Sequence, residues 1–225
     1  MTTRIDFIPT CKRCRRAWHV NGVGMTRELT RYVVQSCGFA PAEANRILQL
    51  IQTLGSHTMT IYLAGKVEKN CWRHKIVKNL RQVETKAGSW PVLEGAVFGH
   101  DYVGPYFISC DHGCYHGAEQ HGLRTSFGTS CTDESYARAD IVSSCLSAID
   151  KADLVFAWIE STDTYGTLFE LGYARAKGKR IVIATPDRKL LKELWFTLAN
   201  ATVIECDNPT DILSLIGDGR GLQTE

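Results

Sequence analysis

The stretch that most limits what this chain can become is residues 152–184, ADLVFAWIESTDTYGTLFELGYARAKGKRIVIA. Residues 154–159 are an almost unbroken apolar run of strand length, and residues 180–184 are rich in Ile and Val. Strands so apolar on both faces belong in a parallel sheet covered by helices. Between them Leu168, Leu171, Gly172 and Ala176 recur at helical spacing on one side, and Gly178 supplies a stop. The unit reads strand, acidic loop, helix, strand. Further strands are predicted over residues 59–64, 91–98 and 201–206, giving a doubly wound, mostly parallel, five-stranded α/β sheet. Helices are predicted over residues 71–83, 132–149, 187–198 and 211–216.

In open sheets of this kind ligands bind at the carboxyl ends of the strands. Asp163 lies in the loop leaving the first strand of the unit, and Glu170 lies one turn into the helix. Helical side chains lean toward their own N-terminus, so the Glu170 carboxylate is expected to point at the same crevice. Two carboxylates converging there suit nucleophilic and acid/base work at an anomeric carbon. The plainer alternative is a glutamate that complements the helix dipole beside a solvated loop aspartate.

The run Asp163 … Gly166-Thr167-Leu168-Phe169-Glu170-Leu171-Gly172-Tyr173-Ala174, after Ala152-Asp153-Leu154-Val155, resembles the nucleoside 2-deoxyribosyltransferase family and its nucleotide N-glycosidase relatives. A second element, Ile61-Tyr62-Leu63-Ala64-Gly65 with Trp72-Arg73 beyond it, is similar to the family's first strand and the helix after it. The similarity spans residues 59–216, and two motifs in order are more specific than either alone. The resemblance implies a Rossmann- or flavodoxin-like domain that cleaves an N-glycosidic bond of a nucleoside, nucleotide or related ribosyl compound, by hydrolysis or base transfer. It implies Glu170 as nucleophile, with Tyr62 as a hydroxyl beside it and Asp163 as its catalytic companion. Gly65, Trp72, Arg73 and Gly166 are implied as substrate contacts, the glycines letting backbone approach the sugar or a 5′-phosphate. No cofactor is implied for the chemistry, and a homo-oligomer is, since members often build their sites at subunit contacts. Two positions depart from the family pattern. Asp163 stands one residue further from the glutamate than usual, and Cys145 falls where many members carry an aspartate that handles the base. The second departure favours hydrolysis over efficient base exchange.

The chain has 225 residues and a net charge of +2, so no nucleic-acid or acidic-membrane partner is demanded. No apolar run reaches membrane-spanning length and the first residues lack a signal-peptide core, so a soluble cytoplasmic protein is expected. Nine cysteines without a secretory signal favour reduced thiols or metal ligands over a disulfide framework. Cys145 and Cys206 sit in apolar contexts and read as core.

Residues 1–57 form a separate small module, with the α/β domain over residues 58–225. Cys11 and Cys14 make a CxxC knuckle, which needs two more ligands to hold a structural zinc. His19 and Cys37 are the local candidates, and a plain reduced pair is the other reading. Helical patterns follow over residues 26–35 and 41–54.

Residues 99–131, GHDYVGPYFISCDHGCYHGAEQHGLRTSFGTSC, are read as a long loop. One reading is a lid in which His112 or His116 meets the substrate. A second is a metal site drawn from Cys110, His112, Cys114, His116, His121 and Cys131. A third is a folded loop with local contacts only. The segment lacks the H-x-E and downstream P-C-x-x-C of a zinc deaminase, which excludes that chemistry. GKVEKN after the first strand is neither a P-loop nor a dinucleotide fingerprint. The competing functional class is a non-catalytic nucleotide-binding sensor coupled to an N-terminal zinc or nucleic-acid-binding module.

Overall fold

A computed structural model describes residues 47, 49, 57–67, 71–80, 90–106, 138–199 and 201–218. The chain divides into two compact units, one of Thr58–Thr210 and a smaller one of Met1–His57 with Asp211–Glu225.

The larger unit is built on one six-stranded sheet. Its strands are β1 (Thr60–Gly65), β2 (Leu93–Val97), β3 (His100–Gly104), β4 (Leu154–Trp158), β5 (Arg180–Thr185) and β6 (Thr202–Glu205). The spatial order is β2-β3-β1-β4-β5-β6, and only the β2–β3 pair is antiparallel. Between strands lie helices α1 (Arg73–Ile76), α2 (Arg138–Lys151), α3 (Tyr165–Ala176), α4 (Arg188–Glu193) and α5 (Trp195–Leu198). A last helix, α6 (Pro209–Asp218), lies almost wholly in the smaller unit.

The α/β class and the mostly parallel sheet agree with the sequence reading, and the sheet has one strand more than expected. The sixth, β3, occupies the start of the stretch read as loop. Val97 pairs with His100, and the two residues between them, Phe98 (φ 49) and Gly99 (φ 84), both lie in the left-handed region. That is the turn a two-residue hairpin requires, and with Phe at its first position it carries no Asn-Gly or Asp-Gly signature. Asp101 Oδ1 accepts from the Gly95 amide at 2.8 Å and closes the hairpin.

The five parallel strands run β3-β1-β4-β5-β6. From β1 the chain moves one way to β3, then crosses back to β4, so the topological switch point lies between the carboxyl ends of β1 and β4. These two strands align Tyr62 with Val155, Ala64 with Ala157 and Gly65 with Trp158. Asp153, from the Ala-Asp-Leu-Val motif, fixes that register. Its Oδ2 accepts from the Thr60 amide at 2.8 Å, and its own amide donates to the Thr60 carbonyl at 2.8 Å.

Alternation along the strands turns Tyr62, Ala64, Val155, Ala157, Ile181 and Ile183 to one face. There they form a buried cluster with Ala148 and Ile149 of α2 and Leu171 and Ala174 of α3. All five residues of β4 are buried, as a central parallel strand should be. Helix α3 buries Thr167, Leu171 and Ala174, whereas Gly172 and Ala176, expected on that side, are exposed. The buried stripe is thus rotated so that Glu170, beside Leu171 and Ala174 on the helix surface, turns toward the sheet. The helix ends as predicted at Gly178 (φ 68). The Gly178 amide donates to Arg175 O and the Lys179 amide to Ala174 O, which satisfies the carbonyls of the last turn.

The helix expected over residues 71–83 is interrupted. Val77 is extended (φ −83, ψ 116), and the Lys78 amide donates to Ala96 of β2 at 3.1 Å rather than to a carbonyl of its own helix.

Candidate functional site

Tyr62 is fully buried in β1, and its hydroxyl donates to Oε1 of Glu170 on α3 at 2.5 Å. The contact joins the first strand motif to the helix motif across the switch point, and it is short, as charge-assisted hydrogen bonds are. Burial, and then the negative charge of Glu170, push the Tyr62 hydroxyl well above the ordinary tyrosine value. Tyr62 therefore remains a protonated donor. Glu170 is partly buried, and burial raises its carboxyl above the ordinary value. The Tyr62 hydrogen bond and then the positive charge of Arg73 oppose that rise.

Cys145 reaches this pair from α2. Its thiol is pushed up to about 12, first by burial and then by the Glu170 charge. Sequence reasoning placed Cys145 in the core. It does pack against the core cluster, and it is also a polar neighbour of the carboxylate.

The floor of the site is the carboxyl end of β1. Gly65 has φ 141, and a Cβ there would lie 2.8 Å from Trp158 O, 3.3 Å from Arg73 Nη2 and 3.4 Å from Trp72 Nε1. No side chain fits between the two strands at this point. Arg73 is buried below the surface. Its Nε donates to Leu63 O at 2.6 Å, its Nη2 to Gly65 O at 2.8 Å, and its Nη1 to Lys66 O at 3.1 Å and to Cys71 Sγ at 3.3 Å. The structure thus places Arg73 as a brace under the strand end. Trp72 packs edge-on against Phe156 at 6.2 Å, and its buried indole N–H has no hydrogen-bond partner among the described residues. Burial raises the Cys71 thiol, but hydrogen bonds and charge from His74 and Arg73 outweigh it and bring the thiol down to about 6.

Asp163 is exposed at the mouth, where it accepts from Ser161 Oγ and from Lys66 Nζ at 3.2 Å. The Ser161 hydrogen bond, then Lys66, holds its carboxyl below the usual range. Asp163 does not join the Tyr62–Cys145–Glu170 cluster, whose electrostatic neighbour is Arg73. Gly166 is the second residue of α3, and a Cβ added there would meet nothing within 4 Å among the described residues.

Two residues that sequence reasoning missed support Tyr62 from the other side. Gly104 of β3 pairs with Tyr62 and has φ 143; a Cβ there would lie 2.9 Å from the Trp90 ring and 3.3 Å from Tyr62 Cε2. Trp90 meets Tyr106 edge-on at 5.3 Å, and Tyr106 Oη donates to Pro91 O at 2.6 Å. The Gly-Pro pair at 104–105 was the available signal, hidden because β3 itself was read as loop.

His112, His116, Cys11 and Cys14 lie outside the described residues. Among the described residues no group of three or more His, Cys, Asp or Glu side chains is arranged to hold a metal.

A flavodoxin-like sheet that holds a tyrosine-bonded carboxylate beside its switch point places that carboxylate where open α/β sheets bind small ligands. The family profile of nucleoside 2-deoxyribosyltransferase matches residues 61–211, and the chain belongs to that family. Comparison with the curated proteins gave no match. Membership makes the domain an enzyme of glycosyl transfer on nucleosides and gives it nucleoside substrates. No helix among the described residues is long and apolar enough to cross a membrane.

Proposed function

We propose that the protein cleaves the N-glycosidic bond of a nucleoside or nucleotide with Glu170 as nucleophile, and that water resolves the intermediate more readily than a second base. A Glu170 oxygen bonds to C1′ as the C1′–N bond breaks, and the bonding pair leaves with the base, which takes up a proton. Water then attacks C1′ of the glycosyl ester, returns the carboxylate and completes the reaction with retention. The supporting observation is the Tyr62–Glu170 hydrogen bond of 2.5 Å at the switch point.

Tyr62 steadies one carboxylate oxygen in both steps. Asp163, held low in pKa by Ser161 and Lys66, is cast as an acceptor for a sugar hydroxyl or a base N–H rather than as the acid that protonates the base. Arg73 braces β1 and supplies the cationic field under Glu170. The preference for water rests on Cys145, a neutral thiol in place of an ionisable acid. Homo-oligomerisation and a structural zinc at Cys11 and Cys14 belong to the same reading and play no part in these steps.

The test is base release from a panel of nucleosides, nucleotides and NAD, with and without a second free base. Free sugar without exchanged nucleoside is expected. Glu170→Gln is expected to slow release by at least about 10³-fold, as loss of a nucleophile does. Unchanged release by that variant would overturn the proposal.

A further inference from the structure

We infer that Cys71 is a modification site: hydroperoxides oxidise its sulfur to a sulfenic acid, and the product loosens the Arg73 brace on the end of β1. The inference goes beyond the glycosidic reading and does not depend on it.

Cys71, Arg73 and His74 form one cluster. Arg73 Nη1 donates to Cys71 Sγ at 3.3 Å. His74 Nδ1 lies 3.7 Å from the same sulfur and 3.3 Å from the Cys71 carbonyl oxygen. Both of these are acceptors, so Nδ1 carries the ring proton and directs it at them. The turn that opens α1 builds the arrangement: the His74 amide donates to Cys71 O at 3.0 Å, which folds residue 74 back over residue 71.

The guanidinium decides the charge of the sulfur. Arg73 is 1 % exposed, and among the described residues it forms no ion pair with a carboxylate. Its other donors go to the neutral carbonyls of Leu63, Gly65 and Lys66. A buried cation without a counter-ion is costly, and of its hydrogen-bond partners only Cys71 can become an anion. Burial raises the Cys71 thiol, but His74 and Arg73 outweigh it and hold the sulfur as thiolate at neutral pH. Cys145 is the internal comparison. It is partly exposed, as Cys71 is, yet burial and then the Glu170 charge push its thiol up to about 12. Similar exposure with opposite neighbours leaves one sulfur nucleophilic and the other inert.

In the oxidation the thiolate attacks the terminal oxygen of a hydroperoxide, the S–O bond forms as the O–O bond breaks, and sulfur gives up two electrons. The second oxygen leaves as hydroxide or alkoxide and takes up a proton from water. The product, Cys71–SOH, is neutral and no longer balances the guanidinium. Arg73 Nη1 therefore loses a charge-assisted bond, and the fork that holds the carbonyls at the end of β1 loses one of its anchors.

The test treats the reduced full-length protein with hydrogen peroxide near neutral pH in the presence of dimedone, which caps sulfenic acids, and maps the adducts by mass spectrometry. The adduct is expected on Cys71 at least about 10-fold faster than on Cys145 or Cys206. His74→Ala removes one of the two groups that hold the thiolate and is expected to slow capping by roughly 3- to 10-fold. Without dimedone, peroxide should lower the wild-type melting temperature by about 2–4 °C. Dithiothreitol should restore it, and Cys71→Ser should lack the shift. No adduct on Cys71, or capping there no faster than on Cys145 and Cys206, overturns the inference, and that measurement needs no variant. A peroxide-dependent melting shift of the same size in Cys71→Ser overturns the link to the Arg73 brace.

Discussion

Arg73 Nη2 donates to the carbonyl of Gly65 at 2.8 Å, so the segment that follows β1 folds back and clasps the strand it has just left. The same guanidinium reaches Leu63 O and Lys66 O, and its ring neighbour Trp72 lies 4.7 Å from the guanidinium carbon. The planar fork matches carbonyls on both sides of a glycine that tolerates no side chain.

Replacing Arg73 should therefore damage the fold before it damages binding. Arg73→Ala strands buried carbonyls, each worth about 1–3 kcal/mol when left unpaired, and a loss of about 3 kcal/mol or more is expected in urea unfolding. Arg73→Lys should recover less than half of it, because one ammonium cannot span the set. Full recovery by lysine would show that charge, not the fork, is what the strand end needs.

Glu170 should cost the protein stability at neutral pH. Its folded pKa is raised, chiefly by burial, so the folded state binds the proton more tightly than the unfolded one. Glu170 then becomes a growing liability as pH climbs from the unfolded value of about 4.3 through the folded value, and above that its cost is complete. Glu170→Gln keeps an acceptor for Tyr62 and carries no charge. A melting temperature higher than wild type by about 1–3 °C is expected near pH 7, with the gap closing below about pH 4. A constant gap across that range would mean that something other than ionisation separates the two proteins.

The motif helix and both flanking strands were legible because apolar runs and Gly178 leave little choice, and Glu170 followed from its place one turn in. The Tyr62–Glu170 pairing was legible only through the resemblance, since residues 108 positions apart in the chain carry no joint spacing signal. What stayed hidden has physical reasons. The turn at Phe98-Gly99 puts a bulky residue at positive φ, which no turn rule suggests, and so β3 and Gly104 were lost in an expected loop. Lys78 bonds to β2 rather than to its own helix, a tertiary preference invisible to periodicity. Cys145 looked like a small hydrophobe, and it does pack against the core; that it also feels the Glu170 charge depends on a neighbour 25 positions away, which its apolar sequence context does not reveal.

Gly104→Ala probes the unread side of the site. The added methyl meets the Trp90 ring at 2.9 Å and Tyr62 Cε2 at 3.3 Å, on a residue whose φ is 143, so both strain and displacement follow. The Tyr62 ring cannot move without moving its hydroxyl from Glu170. A loss of about 2–4 kcal/mol in unfolding free energy is expected for a non-glycine residue forced into this conformation and contact. Indole fluorescence should shift as Trp90 is displaced. Wild-type stability in this variant would mean that the packing around Tyr62 is looser than the distances imply.

Cys71 offers a reading of the strand-end brace that needs no substrate. Its Sγ accepts from Arg73 Nη1 at 3.3 Å and lies 3.7 Å from His74 Nδ1. Burial alone would keep the thiol protonated, yet these two neighbours bring it down to about 6, so at pH 7 it is mostly thiolate. Its alkylation by iodoacetamide should rise with pH to a half-maximal rate near 6, while Cys145, held near 12, should stay unreactive throughout the neutral range. His74→Ala removes the largest of the lowering influences, so the Cys71 midpoint should move upward toward the ordinary thiol value. The linkage has a definite sign. A thiol depressed in the folded state adds stability above its unfolded value of about 8.5, and that gain fades as pH falls toward 6. Cys71→Ser should therefore be most destabilising in alkaline buffer and least so in acid. Peptide mapping of the alkylated protein at pH 7 decides the matter: label on Cys71 well ahead of Cys145 and Cys206 supports the electrostatic brace, and equal labelling of the three refutes it.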